Sequence, residues 1–244
     1  MVIMIRKKYS HKLLKSLPVI TLLSCSIVSS LSTAVQAEIT FEPPKTDRPV
    51  QSSGGASRGS QCDLDAHNLE IPITPLLPTT QQGFTVASHP TLLVYVPQTT
   101  ATKALFALRD ETEEYDYQTV LPISDRSGVI SLQLPQSAPD LEIGKDYQWS
   151  LVLMCDNQLR PDSPVAQGYI TRVKPEFQLN KQLQVANELE SAALYGEAGI
   201  WYETVATLAK LKAAKPQDNK VSATWEQFLI SVGLQDIAKA QLVE

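Results

Sequence analysis

Between residues 83 and 174 the chain alternates apolar and polar side chains in short runs that are separated by Pro, Gly and Asp. The clearest run is Val129–Leu134, in which Ile130, Leu132 and Leu134 would share one face of a strand. The other runs that we interpret as strands are Thr91–Val96, Ala104–Leu108, Tyr115–Leu121, Tyr147–Met154 and Gln167–Val173. Six or seven short strands at this spacing predict an antiparallel two-sheet β-sandwich of the immunoglobulin or fibronectin kind.

The strand Tyr147–Met154 follows a motif that is typical of such sandwiches. Leu141, Gly144 and Tyr147 have the Leu-x-x-Gly-x-x-Tyr spacing of a tyrosine corner, and Trp149 lies inside the strand. In a tyrosine corner, the hydroxyl of a tyrosine near the start of a late strand hydrogen-bonds back over the preceding corner. We therefore expect these four residues to form a structural corner around which the other strands pack.

From Pro175 onward the apolar period lengthens from about two residues to about 3.6 residues, which predicts helices. The first predicted helix ends at Gly196, and its apolar residues are Leu179, Leu183, Ala186, Leu189 and Ala193. The second ends at Pro216, and its apolar residues are Trp201, Val205, Leu208 and Leu211. The third ends at Gly233, and its apolar residues are Trp225, Phe228, Leu229 and Val232. Tyr195, Gly199, Trp201 and Pro216 resemble the landmarks of a tetratricopeptide-like hairpin. A single unit of that kind cannot bury its own apolar face. We therefore expect residues 176–244 to form a helical region that docks on the sandwich or on a partner.

The N-terminus has the pattern of a signal peptide. Five basic residues precede an apolar run over residues 17–31, and Val35-Gln36-Ala37 offers the small residues that a signal peptidase reads, so we expect residues 1–37 to be removed. The alternative is a lipoprotein, because Leu22-Leu23-Ser24-Cys25 resembles a lipidation box with Cys25 as the first mature residue. An uncleaved anchor is disfavoured by the short, serine-rich apolar run.

Removal of residues 1–37 would leave a chain that begins with a polar segment and is strongly acidic. Residues 38–60 are rich in Pro, Ser, Gly, Gln and charge, so we expect a disordered tether that leads into the sandwich segment, residues 61–175. Five of the 21 Lys and Arg lie within residues 1–37 and all 26 Asp and Glu lie after residue 37, so the mature net charge is 16 − 26 = −10. An acidic chain without a basic stripe argues against nucleic acid as a partner.

Two cysteines remain after removal of the leader, Cys62 and Cys155. In an oxidising compartment such a pair indicates a disulfide, and we expect this one to hold the extended segment at residues 61–82 against the sandwich. Two buried free thiols are the alternative.

Candidate chemistry is sparse. The sequence contains no His-Glu-x-x-His, Cys-x-x-Cys or Gly-x-Ser-x-Gly motif, so we assign no catalytic, cofactor-binding or metal-binding residue. The isolated histidines His67 and His89 are expected to be turn or edge residues. The acidic run Asp110, Glu111, Glu113, Glu114 and Asp116 could bind calcium, but its spacing is not that of an EF-hand, and a solvated hairpin tip is the favoured interpretation.

Two smaller groups of residues have similarly ordinary interpretations. Glu188 and Glu190 are expected on an exposed helix face. Tyr195, Trp201 and Tyr202 cluster at a turn between helices, where packing is favoured over a ligand groove.

Several short motifs occur along the chain and are characteristic when they are taken together. They are Ser57-Arg58-Gly59 before Cys62, Ser88-His89-Pro90-Thr91, Tyr95-Val96-Pro97, the corner from Leu141 to Trp149, Cys155-Asp156, Ala198-Gly199-Ile200-Trp201-Tyr202 and Ser231-Val232-Gly233-Leu234. Over nearly all of the mature chain, this set resembles the exported cyanobacterial family called domain of unknown function 928. The resemblance implies an exported protein of that lineage and implies no activity.

Two functions are consistent with these features. The first is a non-enzymatic, periplasmic or secreted module of the cell envelope, whose partner is another envelope protein that contacts the helical region or a sheet edge. The second is an envelope hydrolase that cleaves carbohydrate with two carboxylates, a reaction for which the sequence offers many acidic residues but no particular pair.

Overall fold

The computed structural model describes residues 38–43, 62, 71–112, 114–124 and 126–243. The predicted signal peptide, the lipoprotein alternative at Cys25, most of the predicted tether, His67 and Glu113 lie outside these residues. Nine strands are described: β1 (Thr74–Pro75), β2 (Gln82–Thr85), β3 (Thr91–Val96), β4 (Lys103–Asp110), β5 (Asp116–Pro122), β6 (Gly128–Gln133), β7 (Asp146–Leu153), β8 (Val165–Arg172) and β9 (Leu242–Val243). The described helices are α1 (Phe177–Leu183), α2 (Glu188–Glu197), α3 (Trp201–Ala214) and α4 (Asn219–Ser231), followed by a short 3-10 turn (Gln235–Ile237).

The strands form two sheets, and β7 lies at the centre of the larger one. The first sheet has the order β1-β3-β6-β9 and the second has the order β2-β8-β7-β4-β5. Alternation along β7 buries Tyr147, Trp149, Leu151 and Leu153. In the antiparallel pair with β4, Trp149 lies opposite Leu108, so the buried faces of both strands coincide. Both sheets and the helices contribute side chains to one buried apolar cluster.

Each sheet also has one parallel pair, which corrects the expectation of a wholly antiparallel arrangement. β2 runs parallel to β8, and β9 runs parallel to β6. β9 lies in a region that was expected to be helical, because a two-residue strand is too short to show a periodic pattern. Gly128 permits its close approach, since a Cβ atom there would lie 2.6 Å from the carbonyl oxygen of Gln241.

The apolar face that predicted one long helix belongs to two helices, α1 and α2. Asn187 separates them, and its side chain accepts hydrogen bonds from the N–H groups of Leu189 and Glu190. The Glu190 carboxylate accepts a hydrogen bond from the Asn187 N–H in return, which completes a capping box. α2 extends beyond Gly196, and Gly199 takes the left-handed conformation (φ 70°) that commonly follows a helix end.

Buried hydrogen bonds attach the start of α3 to both sheets. The indole N–H of Trp201 donates to the carbonyl oxygen of Leu76, which follows β1 (2.9 Å). The hydroxyl of Tyr202 accepts from the indole N–H of Trp149 in β7 (2.9 Å) and donates to the carbonyl oxygen of Tyr169 in β8 (3.0 Å). These aromatic side chains are buried, so each donor would lose its described acceptor if α3 moved away.

Residues 38–43 pack against the helices, which corrects the expectation of a disordered tether over all of residues 38–60. Ile39 is buried, and the ring of Phe41 meets that of Trp201 with centroids 4.8 Å apart. The N–H of Glu42 donates to the carbonyl oxygen of Gly196 (3.1 Å). Two apolar residues in a polar segment give too weak a pattern to predict this contact from the sequence.

The corner before β7 joins Tyr147 to the preceding turn. The Tyr147 hydroxyl accepts a hydrogen bond from the N–H of Glu142 (2.8 Å), and Leu141 and Trp149 are both buried. Gly144 has φ 82°, and no atom lies within 4 Å of the position that a Cβ would occupy. The left-handed backbone, and not lack of space, is therefore what favours glycine there.

A disulfide joins Cys62 and Cys155, whose Cα atoms are 5.4 Å apart and whose positions are 93 residues apart in the sequence. Cys155 lies just beyond β7, and both residues are buried. Along the described ranges we find no helix with the length and apolar character that a membrane crossing requires.

We predict that Tyr202→Phe destabilises the protein by about 1–3 kcal/mol, because it leaves the buried indole N–H of Trp149 without an acceptor. Denaturant unfolding measures this loss. Tyr95→Phe is the matched control, since the Tyr95 hydroxyl bonds Ser127 at an exposed position, and a change within about 0.5 kcal/mol is expected there. Equal losses in the two variants would contradict the role given to Tyr202.

We also predict that Cys62→Ser lowers the free energy of unfolding by a few kcal/mol, since closing a loop of this length constrains the unfolded chain by about 4–5 kcal/mol in the entropy model. Cys155→Ser should cost a similar amount, and the double variant should cost little more because the same bond is lost. The measurement is denaturant unfolding of the oxidised protein together with free-thiol labelling. Two reactive thiols in native, unreduced protein would show that the bond is absent.

Candidate functional site

A cleft lies between α3 and one face of the first sheet. Tyr202, Ala206, Ala209 and Ala213 are spaced four, three and four residues apart, so they share one face of α3. Tyr202 contacts the second sheet through Trp149 and Tyr169, whereas the three alanines line the cleft. The cleft has a volume of about 890 Å³, and we call it the α3 groove.

The walls of the α3 groove combine apolar and cationic side chains. Its lining residues are Thr91, Leu93, Arg126, Val129, Ser131, Ala206, Thr207, Ala209, Lys210, Lys212, Ala213, Pro216, Gln241, Leu242 and Val243. Among the described residues, none of those that line it is Asp, Glu, His or Cys. Three of the lining residues, Arg126, Lys210 and Lys212, are cationic, although the formal net charge of the chain is −5.

Lys212 is the most constrained of these cations. Its ammonium lies 5.5 Å from the ring centroid of Trp225, an arrangement that permits a cation–π contact. Burial lowers the pKa of Lys212, and the charge of nearby Glu226 opposes that shift. Within the described part of the chain, neither Lys212 nor Arg126 forms an ion pair, whereas Lys210 pairs with Glu188 at 3.5 Å.

His89 lies outside the groove in a hydrogen-bonded turn. Its Nε2 donates to the carbonyl oxygen of Ala138 (3.0 Å), while Nδ1 contacts both the Ser88 hydroxyl (3.1 Å) and the Asp140 carboxylate (3.3 Å). A Ser-His-Asp triad needs the serine and the aspartate on different ring nitrogens. This arrangement therefore supports a structural role for His89.

The described members of the predicted acidic cluster, Asp110, Glu111, Glu114 and Asp116, lie at the end of β4, at the start of β5 and between these strands. Burial raises the pKa of Asp110, but hydrogen bonds from the Tyr115 N–H and the Thr112 hydroxyl, together with the charge of Lys145 and a backbone hydrogen bond from Glu114, leave its pKa lowered. Asp116 pairs with Arg109 at 3.3 Å on the surface. Over the described ranges, no group of three His, Cys, Asp or Glu side chains is placed to hold a metal ion.

The aromatic residues predicted at the helix turn are packing residues. Trp201 and Tyr202 are buried, and the Trp201 ring stacks on Phe228 with centroids 5.6 Å apart. Tyr195 is half-buried. Glu188 and Glu190 lie in the first turn of α2, where Glu190 completes the cap.

The sequence pattern of the family described as Domain of Unknown Function (DUF928) matches residues 53–242. The chain belongs to this family. No curated protein matches it. The solved structures similar to it include the crystal structure of a family 76 glycoside hydrolase from a bovine Bacteroides thetaiotaomicron strain. That likeness has 13% sequence identity and a TM-score of 0.27, and covers 64% of this chain but only 36% of the hydrolase chain, so we draw no conclusion about fold or activity from it.

A buried carboxyl group in this DUF928 chain was not predicted from the sequence. Oε1 of Glu203, in the first turn of α3, accepts hydrogen bonds from the Thr85 hydroxyl (2.7 Å) and from the N–H groups of Val86 (3.1 Å) and Ala87 (3.0 Å). Oε2 is buried and has no hydrogen-bond partner in the described structure. Burial raises the pKa of Glu203, and the hydrogen bonds to Oε1 only partly offset that shift. No sequence signal marks it, because a glutamate at the start of a helix is ordinary.

We predict that Glu203→Gln changes how stability depends on pH. The pKa of Glu203 is higher in the folded chain than in the unfolded chain, so folding is penalised as pH rises above the unfolded value of about 4.3. The variant keeps an acceptor at Oε1 but cannot ionise. The free energy of unfolding of the variant minus that of the wild type should therefore increase as the pH is raised from about 4 to about 7.

Denaturant unfolding across this pH range is the measurement. Glu197→Gln, at an exposed position in α2, controls for the general effect of removing a carboxylate. If both variants shift the pH profile equally, the burial of Glu203 is not what sets its behaviour.

Proposed function

We propose that this DUF928 protein is an exported, non-enzymatic binding module of the cell envelope and that the α3 groove is its binding surface. The observation that carries the proposal is a cleft with apolar walls and three cations. Its volume falls within the range of about 300–1,000 Å³ that is typical of ligand pockets.

Export is supported by the sequence pattern of residues 1–37 and by the disulfide, which is typical of oxidising compartments. Cyanobacterial origin is part of the same proposal and is supported by the motif resemblance. We include in it a fold of the immunoglobulin or fibronectin kind, supported by the corner at Tyr147, and a tetratricopeptide-like hairpin, supported by the succession of α2 and α3.

We do not extend the proposal to carbohydrate hydrolysis. That reaction uses two carboxyl groups about 5–9 Å apart across the scissile bond. No described Asp or Glu lines the α3 groove, and Glu203 has one oxygen occupied by three donors from one protein segment.

We predict that the protein, purified natively from the organism that encodes it, carries a bound species that the α3 groove holds. The intact mass should correspond to a chain of 244 − 37 = 207 residues that begins at Glu38. A lipid-bearing chain that begins at Cys25 would replace that part of the proposal. Native mass spectrometry then reports bound small molecules, and affinity capture reports an envelope protein.

Ala213→Trp should abolish binding, because the indole would fill the space that the alanine leaves. Ala214→Trp is the matched control, since Ala214 is also exposed on α3 but does not line the groove. Binding that persists in Ala213→Trp, or wild-type protein that carries nothing, would contradict the proposal.

A further inference from the structure

We propose, resting on the function above, that the α3 groove binds a small, soluble organic anion with an apolar body and one acidic group. Apolar side chains would contact the body, and the groove cations would hold the acidic group.

The apolar part of the groove is already formed. Leu93, Val129 and Ala209 line the groove but are almost covered by protein, at 3%, 1% and 7% exposure. The apolar surface that a ligand could contact belongs to partly or fully exposed lining residues, namely Ala206, Ala213, Pro216 and Leu242. Burying the body of a ligand against them removes apolar surface from water.

Lys212 and Arg126 form no ion pair with a described residue, whereas Lys210 pairs with Glu188. The charge of nearby Glu226 also acts on Lys212. A desolvated ammonium such as that of Lys212 is stabilised by an anion placed beside it. Cation–π contact with Trp225 supplies part of that stabilisation and uses none of the hydrogen-bond donors of the ammonium. Arg126 offers a planar, bidentate donor that suits carboxylate, sulfonate or phosphate groups.

A large or membrane-bound anion fits the molecule less well than a small one. Outside the groove the chain is acidic, so an extended polyanion would be repelled along most of its length. A face that docks on lipid would expose large apolar side chains around the opening. The exposed ones among the described residues are Val120, Ile143, Leu159, Phe177, Val185 and Ile230, and none lines the groove.

Two fluorescent dyes test this inference on the full mature protein. Anilinonaphthalene sulfonate has an apolar aromatic body and one sulfonate, and phenylnaphthylamine has the same rings without the charge. We expect the sulfonate dye to bind about tenfold more tightly than the neutral dye, since a hydrogen bond to a charged group contributes at least a factor of about ten. Raised salt should weaken binding of the sulfonate dye only.

Variants then assign the site. Lys212→Met and, in the exposed loop before β6, Arg126→Gln should each weaken the sulfonate dye about tenfold and leave the neutral dye unchanged. Lys215→Met is the control, because Lys215 is exposed at the end of α3 and does not line the groove. Ala213→Trp should remove binding of both dyes. Unfolding midpoints confirm that each variant is folded. If Lys212→Met does not fold, dye binding by Arg126→Gln tests the role of the groove cations.

The outcomes separate this inference from the proposed function. Equal binding of both dyes that is lost in Ala213→Trp would show a binding groove without preference for an anion, which overturns the inference and keeps the function. Sulfonate-dye binding that Ala213→Trp does not affect, or no binding at all, overturns the inference. If anionic lipid vesicles recruit the wild-type protein and displace the dye, the ligand is a lipid and the soluble anion is wrong.

Discussion

The hydroxyl of Tyr202 receives the indole N–H of Trp149 and donates to the carbonyl oxygen of Tyr169, and this buried pair of hydrogen bonds determines where α3 lies. Trp149 belongs to the central strand of the larger sheet, so the helix is positioned from the middle of the fold and not from its periphery. Gly168 makes room for the contact, since a Cβ there would lie 3.0 Å from the indole nitrogen of Trp149. A buried network of this kind is satisfied only in one arrangement, which specifies a unique position for the helix.

The two ends of α3 differ in a way that produces the groove. At its start, Trp201, Tyr202 and Glu203 bond to three different segments of the chain. Further along, the face toward the first sheet carries alanines, whose side chains are too short to close the gap. The α3 groove lies beside this alanine-bearing part of the helix.

Much of this architecture could be predicted from the sequence, because it rests on repeating or local signals. Alternating apolar residues located β3, β4, β6 and β7, and the spacing from Leu141 to Tyr147 matched a corner that has its hydrogen bond. The capping box at Asn187 was also readable, since Asn and Glu three residues apart mark a helix start. The apolar spacing continues across this capping box, so spacing alone predicted one helix where the structure has α1 and α2.

What could not be predicted depends on contacts between distant segments. β9 has two residues, Ile39 and Phe41 lie in a polar stretch, and Glu203 looks like an ordinary helix-start residue until Thr85 and the following amides surround it. The α3 groove belongs to the same class, because its alanines are good helix formers that carry no local signal of a cavity.

The preformed shape of the groove bears on how tightly it can bind. Ordering loops and side chains on association opposes binding by about 0.5–1.5 kcal/mol for each immobilised side chain. The groove walls come from α3, β3, β6 and β9, and its apolar sheet side is buried before any ligand arrives. Lys212 is also partly held, over Trp225. A small anion would therefore meet cations and apolar walls that need little rearrangement, so even a modest contact area can support specific binding.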